Sequence, residues 1–142
     1  MKCKWCDFND KSLIIKEYKY WRLSIAESQI LPGWTHASLK RHVHFFEELK
    51  DEELTELRKI IKEIKVVLNK TFKPSWFNVM QLGNMTQHLH FHLVPRYKEK
   101  KHFAGREFVD KTYGRLISDE WIVEDNLFLE KLRDHIKKEM KN

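Results

Sequence analysis

Gln87-His88-Leu89-His90-Phe91-His92-Leu93-Val94-Pro95-Arg96 is the stretch on which the reading of this chain turns. Three histidines alternate with Leu89, Phe91 and Leu93. In an extended chain alternate residues share a face, so the imidazoles line one side and the apolar groups bury on the other. Same-face neighbours lie roughly 6.5–7 Å apart, which spreads the outer two histidines over about 13 Å. That span is too long for one zinc ion to bind all three directly at about 2 Å each unless the strand bulges. Pro95 cannot donate to a ladder and is expected to end the strand. A lone histidine facing a core is usually structural, but three in strict alternation point to chemistry. Either a His-x-His pair holds one ion, or the middle imidazole is a nucleophile whose neighbours orient it and handle protons.

Working outward, 142 residues imply one domain with a substantial core. With 42% hydrophobic and 34% charged residues, the composition is that of a soluble globular chain. No apolar run approaches the roughly 18–20 residues a membrane helix needs. Met1-Lys2-Cys3-Lys4-Trp5-Cys6-Asp7 lacks the apolar core of a signal peptide, so the expected compartment is the cytoplasm. The net charge is +6, which favours nucleic acid or a polyphosphate ligand. The lysines alternate with glutamates, cluster only at Lys98–Lys101, and accompany no nucleic-acid-binding motif. Nucleic acid is therefore not the expected partner.

Ser12–Glu17 and Tyr20–Ala26, rich in Ile, Leu, Tyr and Trp, read as strands joined by a turn at Tyr18–Lys19. Thr35–Leu39 is a third short strand. Asp51–Lys70 is the clearest helix, with Asp51 as cap and Glu52 and Glu53 in the first turn. Leu54, Leu57, Ile60, Ile61, Ile64, Val67 and Leu68 form its apolar stripe. Ser75–Leu82 is a fourth strand, the histidine strand is the fifth, and Tyr97–Lys101 is a charged turn. Asp125–Met140 closes the chain as a helix whose stripe (Leu129, Leu132, Ile136, Met140) serves the core or a dimer contact. The expected fold is thus α+β: a five-stranded antiparallel sheet, one long helix and a C-terminal helix, in a single domain over 1–142 with a helical extension at about 120–142.

Cys3 and Cys6 are the only cysteines. A redox Cys-x-x-Cys follows a strand and opens a helix, and nothing precedes this one. A disulfide is not expected in a reducing compartment. Two thiolates at this spacing can form half of a zinc site, or they are ordinary terminal cysteines.

His88-Leu89-His90-Phe91-His92-Leu93-Val94 matches every position of His-x-His-x-His followed by two apolar residues. In this the chain resembles the histidine triad (HIT) superfamily, and the resemblance covers most of its length. Gly33-Trp34-Thr35-His36-Ala37-Ser38-Leu39-Lys40-Arg41-His42 corresponds to a second family stretch, with Trp34 and Leu39 in place of the usual histidine and proline. The resemblance implies a structural zinc ion on Cys3, Cys6, His42 and His88, with His36 and His44 as rivals for the third position. It implies a nucleophilic His90, a phosphate- and proton-handling His92, and no organic cofactor. Asn84 stands where the family has a phosphate-binding glutamine, and Met85 where it has a serine. Asn84 and backbone N–H groups beside Gly83 would then meet the phosphate, with Asn78 and Gln81 as further polar candidates. Glu27 is the nearest acid for the ribose hydroxyls, or else an exposed turn residue. Phe103–Asp110 is similar to a segment of some short bacterial members and is expected to cover the sheet edge or the site. Arg96 and Arg106 are read as surface arginines or phosphate ligands. The implied activity is hydrolysis or nucleotidyl transfer at the α-phosphate of a nucleoside phosphate derivative, by a homodimer. The alternatives are a silent nucleotide-binding or scaffold protein, and a metal-dependent enzyme using two of the triad histidines.

Overall fold

The structure, a computed structural model, describes residues 3–8 and 10–140. The ends of the expected 1–142 domain and position 9 lie outside those residues. Five strands, β1 (Ile14–Glu17), β2 (Trp21–Ile25), β3 (Thr35–Leu39), β4 (Trp76–Gln81) and β5 (His90–Arg96), form one antiparallel sheet in the order β1-β2-β3-β5-β4. The long helix α1 (Asp51–Thr71) connects β3 to β4. A second, two-stranded sheet of β6 (Lys101–Phe103) and β7 (Arg106–Phe108) follows β5, and α2 (Asn126–Lys137) closes the fold.

Register decides which face each residue serves. Leu23 lies opposite Ala37, and Ala37 opposite Phe91. These residues share a face with Trp21, whose indole N–H donates to the Glu53 carbonyl at the start of α1 at 2.8 Å. Leu57, Ile60, Ile64, Val67 and Leu68 of α1 bury against that face, while Leu54 stays exposed in the first turn. The helix cap is Lys50, one residue before the expected Asp51, and its N–H donates to Glu53. Leu129, Leu132 and Ile136 of α2 are fully within the core, so this helix is an integral element and its apolar stripe is internal. Gly33 fits where nothing larger does: its φ is +96°, and a Cβ there would stand 2.7 Å from Leu68. That close approach seats the start of β3 on α1.

Two expectations are corrected. Pro95 does not end its strand; it pairs with Phe77 inside β5. Arg96 offers its carbonyl to Ser75 on the β4 side, so the N–H that Pro95 lacks would point toward β3, beyond Leu93, the last residue paired there. No ladder bond is lost. The segment after β5 is also more than a charged turn. Ala104 and Gly105 both take positive φ, +51° and +77°, the geometry of a tight hairpin turn, and fold it back on itself.

Arg96 is neither a surface residue nor free to meet a phosphate. It is 2% exposed and grips Asp110 with two bonds of 2.8 and 3.0 Å, together with Asn78, Thr112 and the Arg115 carbonyl. Arg106 ion-pairs with Glu124 over the rings of Phe108 and Phe128. Among the described residues no helix is long and apolar enough to cross a membrane.

Candidate active site

The face of the sheet turned away from α1 carries a cluster of imidazoles. His92 lies opposite His36 of β3, and His90 opposite Ser38. His90 and His92 rings are 5.3 Å apart, His36 and His92 rings 4.6 Å. Trp5 closes over them, 4.9 Å from the His90 ring and edge-on to His36 at 5.2 Å, and Trp121 stands edge-on to Trp34 at 5.3 Å.

Each imidazole has a distinct partner, and the partner decides which nitrogen is free. The Nδ1–H of His90 donates to the His88 carbonyl at 2.7 Å, which leaves Nε2 with its lone pair. His92 receives the Trp34 indole N–H on Nδ1 at 3.2 Å, and the Nε2 of His36 stands 3.1 Å from the same atom. Burial disfavours the charged form of all three rings. It depresses His90, although the hydrogen bond to the His88 carbonyl opposes the shift. Burial, reinforced by His90 and Lys4, lowers His92 to about 4. Burial and then the charges of His92, His90 and Lys4 take His36 well below its ordinary range.

His88 does not continue the row. The strand begins at His90; just before it, the Leu89 N–H donates to the Val43 carbonyl in the loop after β3, and the Leu89 carbonyl accepts from the N–H of Leu39, the last residue of β3. His88 donates from Nε2 to the Leu39 carbonyl at 2.6 Å and turns Nδ1 toward Cys3, Cys6 and His42. Those four ligand atoms lie within 4.8 Å of one another. The Sγ atoms of Cys3 and Cys6 are 3.2 and 3.5 Å from His88, and Cys6 is 3.3 Å from His42. The Nδ1 atoms of His42 and His88 are 2.9 Å apart, and two thiols and two imidazoles gathered this closely are the donor set that a tetrahedral zinc ion takes. The carbonyl behind His88 is the outer partner that fixes a ligating tautomer. The rivals are elsewhere: His36 belongs to the imidazole cluster, and His44 packs edge-on against His42.

The other candidates are dispersed. Glu27 is half-buried, with its carboxylate 3.6 Å from the Lys4 ammonium. Asn78 has its side-chain oxygen taken by Arg96. Gln81 pairs with Phe91 and therefore sits on the α1 face of the sheet, opposite to the imidazoles. Gly83 turns the loop with φ +82°, Asn84 is exposed, and Met85 is 98% exposed. Sequence reasoning missed Trp5, Lys4 and Trp121, and considered His36 only as a rival metal ligand. Strand parity was the one available signal for His36, since it alternates with Ala37 as His92 does with Leu93.

A five-stranded antiparallel sheet bearing buried imidazoles on one face, beside a thiol–imidazole cluster, defines an α+β protein with a histidine-lined site. The HIT domain family model matches residues 9–99, and the chain belongs to that family. It is 27% identical over 127 residues to an uncharacterized HIT-like protein of Mycoplasma genitalium, covering 84% of this chain and 89% of that one. It is 30% identical over 98 residues to the asymmetrical bis(5'-nucleosyl)-tetraphosphatase of Schizosaccharomyces pombe, covering 63% of this chain and 53% of that protein. The fold matches a HIT-like protein of Bartonella henselae with a TM-score of 0.73 at 20% identity, over 96% and 93% of the two chains.

Proposed function

We propose that this protein is a nucleotide hydrolase or nucleotidyl transferase acting at the α-phosphate of a nucleoside phosphate derivative, through a covalent nucleotidyl-histidine on His90. The observation that carries this reading is the 2.7 Å bond from His90 Nδ1–H to the His88 carbonyl, which leaves Nε2 as a free, neutral nucleophile. The Schizosaccharomyces pombe relative is named for the hydrolysis of a dinucleoside tetraphosphate, which supports the substrate class. His90 Nε2 attacks phosphorus and the leaving group departs. Water then releases the nucleotide and restores the ring. His92 donates a hydrogen bond from Nε2, and Asn84 with the backbone near Gly83 stabilises charge on the equatorial oxygens. Glu27 serves the ribose from the same side as Lys4.

Cys3, Cys6, His42 and His88 hold zinc in a closed, four-ligand structural site. The ion would tie the N-terminal turn to the loop before β5 and take no part in the chemistry. Two free thiols suit a reducing, cytoplasmic compartment.

Intact-protein mass spectrometry after brief mixing with diadenosine tetraphosphate and acid quench tests the reading. A mass gain of one nucleotidyl group that vanishes in His90→Ala supports it; undiminished hydrolysis in that variant defeats it. The exposed Asn84 and Met85, where a phosphate loop is expected, favour a second reading as a nucleotide-binding protein without turnover. Tight nucleotide binding with neither adduct nor product would establish that one.

A further inference from the structure

Resting on the nucleotidyl-histidine reading, we propose that Trp34 and His36 lock His92 as a neutral imidazole with its hydrogen on Nε2, so that the site selects nucleoside phosphoanhydrides over phosphoramidates. The lock follows from donor counting. An indole N–H can only donate, and that of Trp34 meets His92 Nδ1 at 3.2 Å. Nδ1 must therefore present its lone pair. A protonated His92 would carry a hydrogen on Nδ1 as well, facing the indole hydrogen across the same gap. The Nε2 of His36, 3.1 Å from the same atom, then carries its own hydrogen, because a bare nitrogen there would set lone pair against lone pair. The other groups around His92 give no support to a charged ring. Met80 is its cross-strand neighbour, and His90 and Lys4, whose partner is Glu27, both oppose a positive charge on it.

The consequence lies in the leaving group. Attack by His90 Nε2 forms a phosphorus–nitrogen bond and leaves the ring cationic, with Nδ1–H still on the His88 carbonyl. In an anhydride the phosphorus–oxygen bond breaks and its electron pair leaves on a phosphate oxygen, a stable anion that the Nε2–H of His92 need only hydrogen-bond. In a phosphoramidate the pair would leave on nitrogen, which must take up a proton as the bond breaks. A neutral imidazole N–H is far too weak an acid to supply one near pH 7. Water then attacks the nucleotidyl-histidine, its proton passes to solvent, and neutral His90 returns in both cases. Trp34 and His36 touch no reacting atom; they are positioning residues acting through His92.

Two measurements on the full chain test this. In protein labelled with 15N-histidine, two-bond proton–nitrogen correlations at pH 7 report the His92 tautomer, with its signals assigned by their loss in His92→Gln. Nε2 protonated and Nδ1 bare is expected; a protonated Nδ1 overturns the proposal irrespective of activity. Next, kcat/KM is compared for diadenosine tetraphosphate and adenosine 5'-phosphoramidate. The anhydride is expected to be favoured by about a hundredfold or more, the usual size of a missing proton-transfer contribution. Trp34→His, which replaces the obligate donor by a group that can accept, should narrow that ratio at least tenfold. Equal or reversed preference in the wild type overturns the proposal, as does an unchanged ratio in a folded Trp34→His variant. If neither substrate gives adduct or product, the nucleotidyl-histidine reading falls and the preference with it, while the tautomer result stands separately.

Discussion

Three histidines of one motif do three different things because each has a different neighbour. The Leu39 carbonyl frees Nδ1 of His88 for the thiol cluster, the His88 carbonyl frees Nε2 of His90, and the Trp34 indole occupies Nδ1 of His92. A sequence can show that imidazoles share a strand, but not which nitrogen is available, since that depends on carbonyls and indoles brought in from elsewhere. His36 carries its own consequence. Burial, with the charges of His92, His90 and Lys4, keeps it neutral well below the ordinary histidine range, whereas the unfolded chain protonates it near 6.5. The unfolded state therefore binds the extra proton first. The stability due to His36 is complete above about pH 6.5 and is lost as pH falls below it, with a slope of about 1.4 kcal/mol per pH unit. His36→Leu should flatten the decline in urea-unfolding free energy between pH 6.5 and 5 by up to that slope. An unaltered slope would mean that the ring is protonated in the folded protein.

At the scale of elements, local pattern carried far. Strands β1 to β4 and helix α1 lie within a few residues of their expected bounds, because alternation and the three-to-four spacing are local signals. The β6–β7 hairpin was not legible, since Ala104-Gly105 is a weak turn signal, and neither was the clamp that pins the following loop. Arg96 and Asp110 are separated by fourteen residues, and nothing periodic announces their union. Their side chains are 3% and 2% exposed. Burial alone would raise the Asp110 carboxyl, but Arg96 and the N–H groups of Tyr97 and Thr112 outweigh it and hold it below the usual carboxylate range. Its contribution is thus present above about pH 4 and is lost as pH falls through the lower folded value. Asp110→Asn would leave the Arg96 guanidinium buried without a counter-charge and should cost about 3–5 kcal/mol, measured by urea unfolding at pH 7. It should also open the loop around Thr112 and Arg115 to limited proteolysis. A cost under 1 kcal/mol would show that the carbonyls of Thr112 and Arg115 suffice to hold the guanidinium.

Two features of the whole molecule invite a test: an open sheet edge and a terminal turn pinned beside the start of β5. Strand β4 is an edge, with Trp76 68% and Val79 44% exposed, which is the kind of surface a monomer does not leave bare. A homodimer joined along β4 is expected, and Val79→Lys should shift its sedimentation toward that of a monomer; unchanged mass would place the interface elsewhere. Beside the start of β5, Cys3 and His88 meet across 85 residues of chain. Their cluster anchors a terminal turn that has little core of its own beyond Trp5, which is 3% exposed against the imidazoles. If zinc holds that turn, an ion bound by the folded state alone adds its binding free energy to stability. Removing it with a strong chelator should then lower Tm by at least about 5 °C, since 1 kcal/mol corresponds to a few degrees in a domain this size. Cys3→Ser should lower it similarly and leave nothing for the chelator to remove. Trp5 would lose its seat over His90 in both cases, so the fluorescence change on chelation should be absent from Trp5→Phe. A Tm indifferent to chelation, in protein that contains no zinc by elemental analysis, would leave the turn held by Trp5 packing and the thiol–imidazole hydrogen bonds alone.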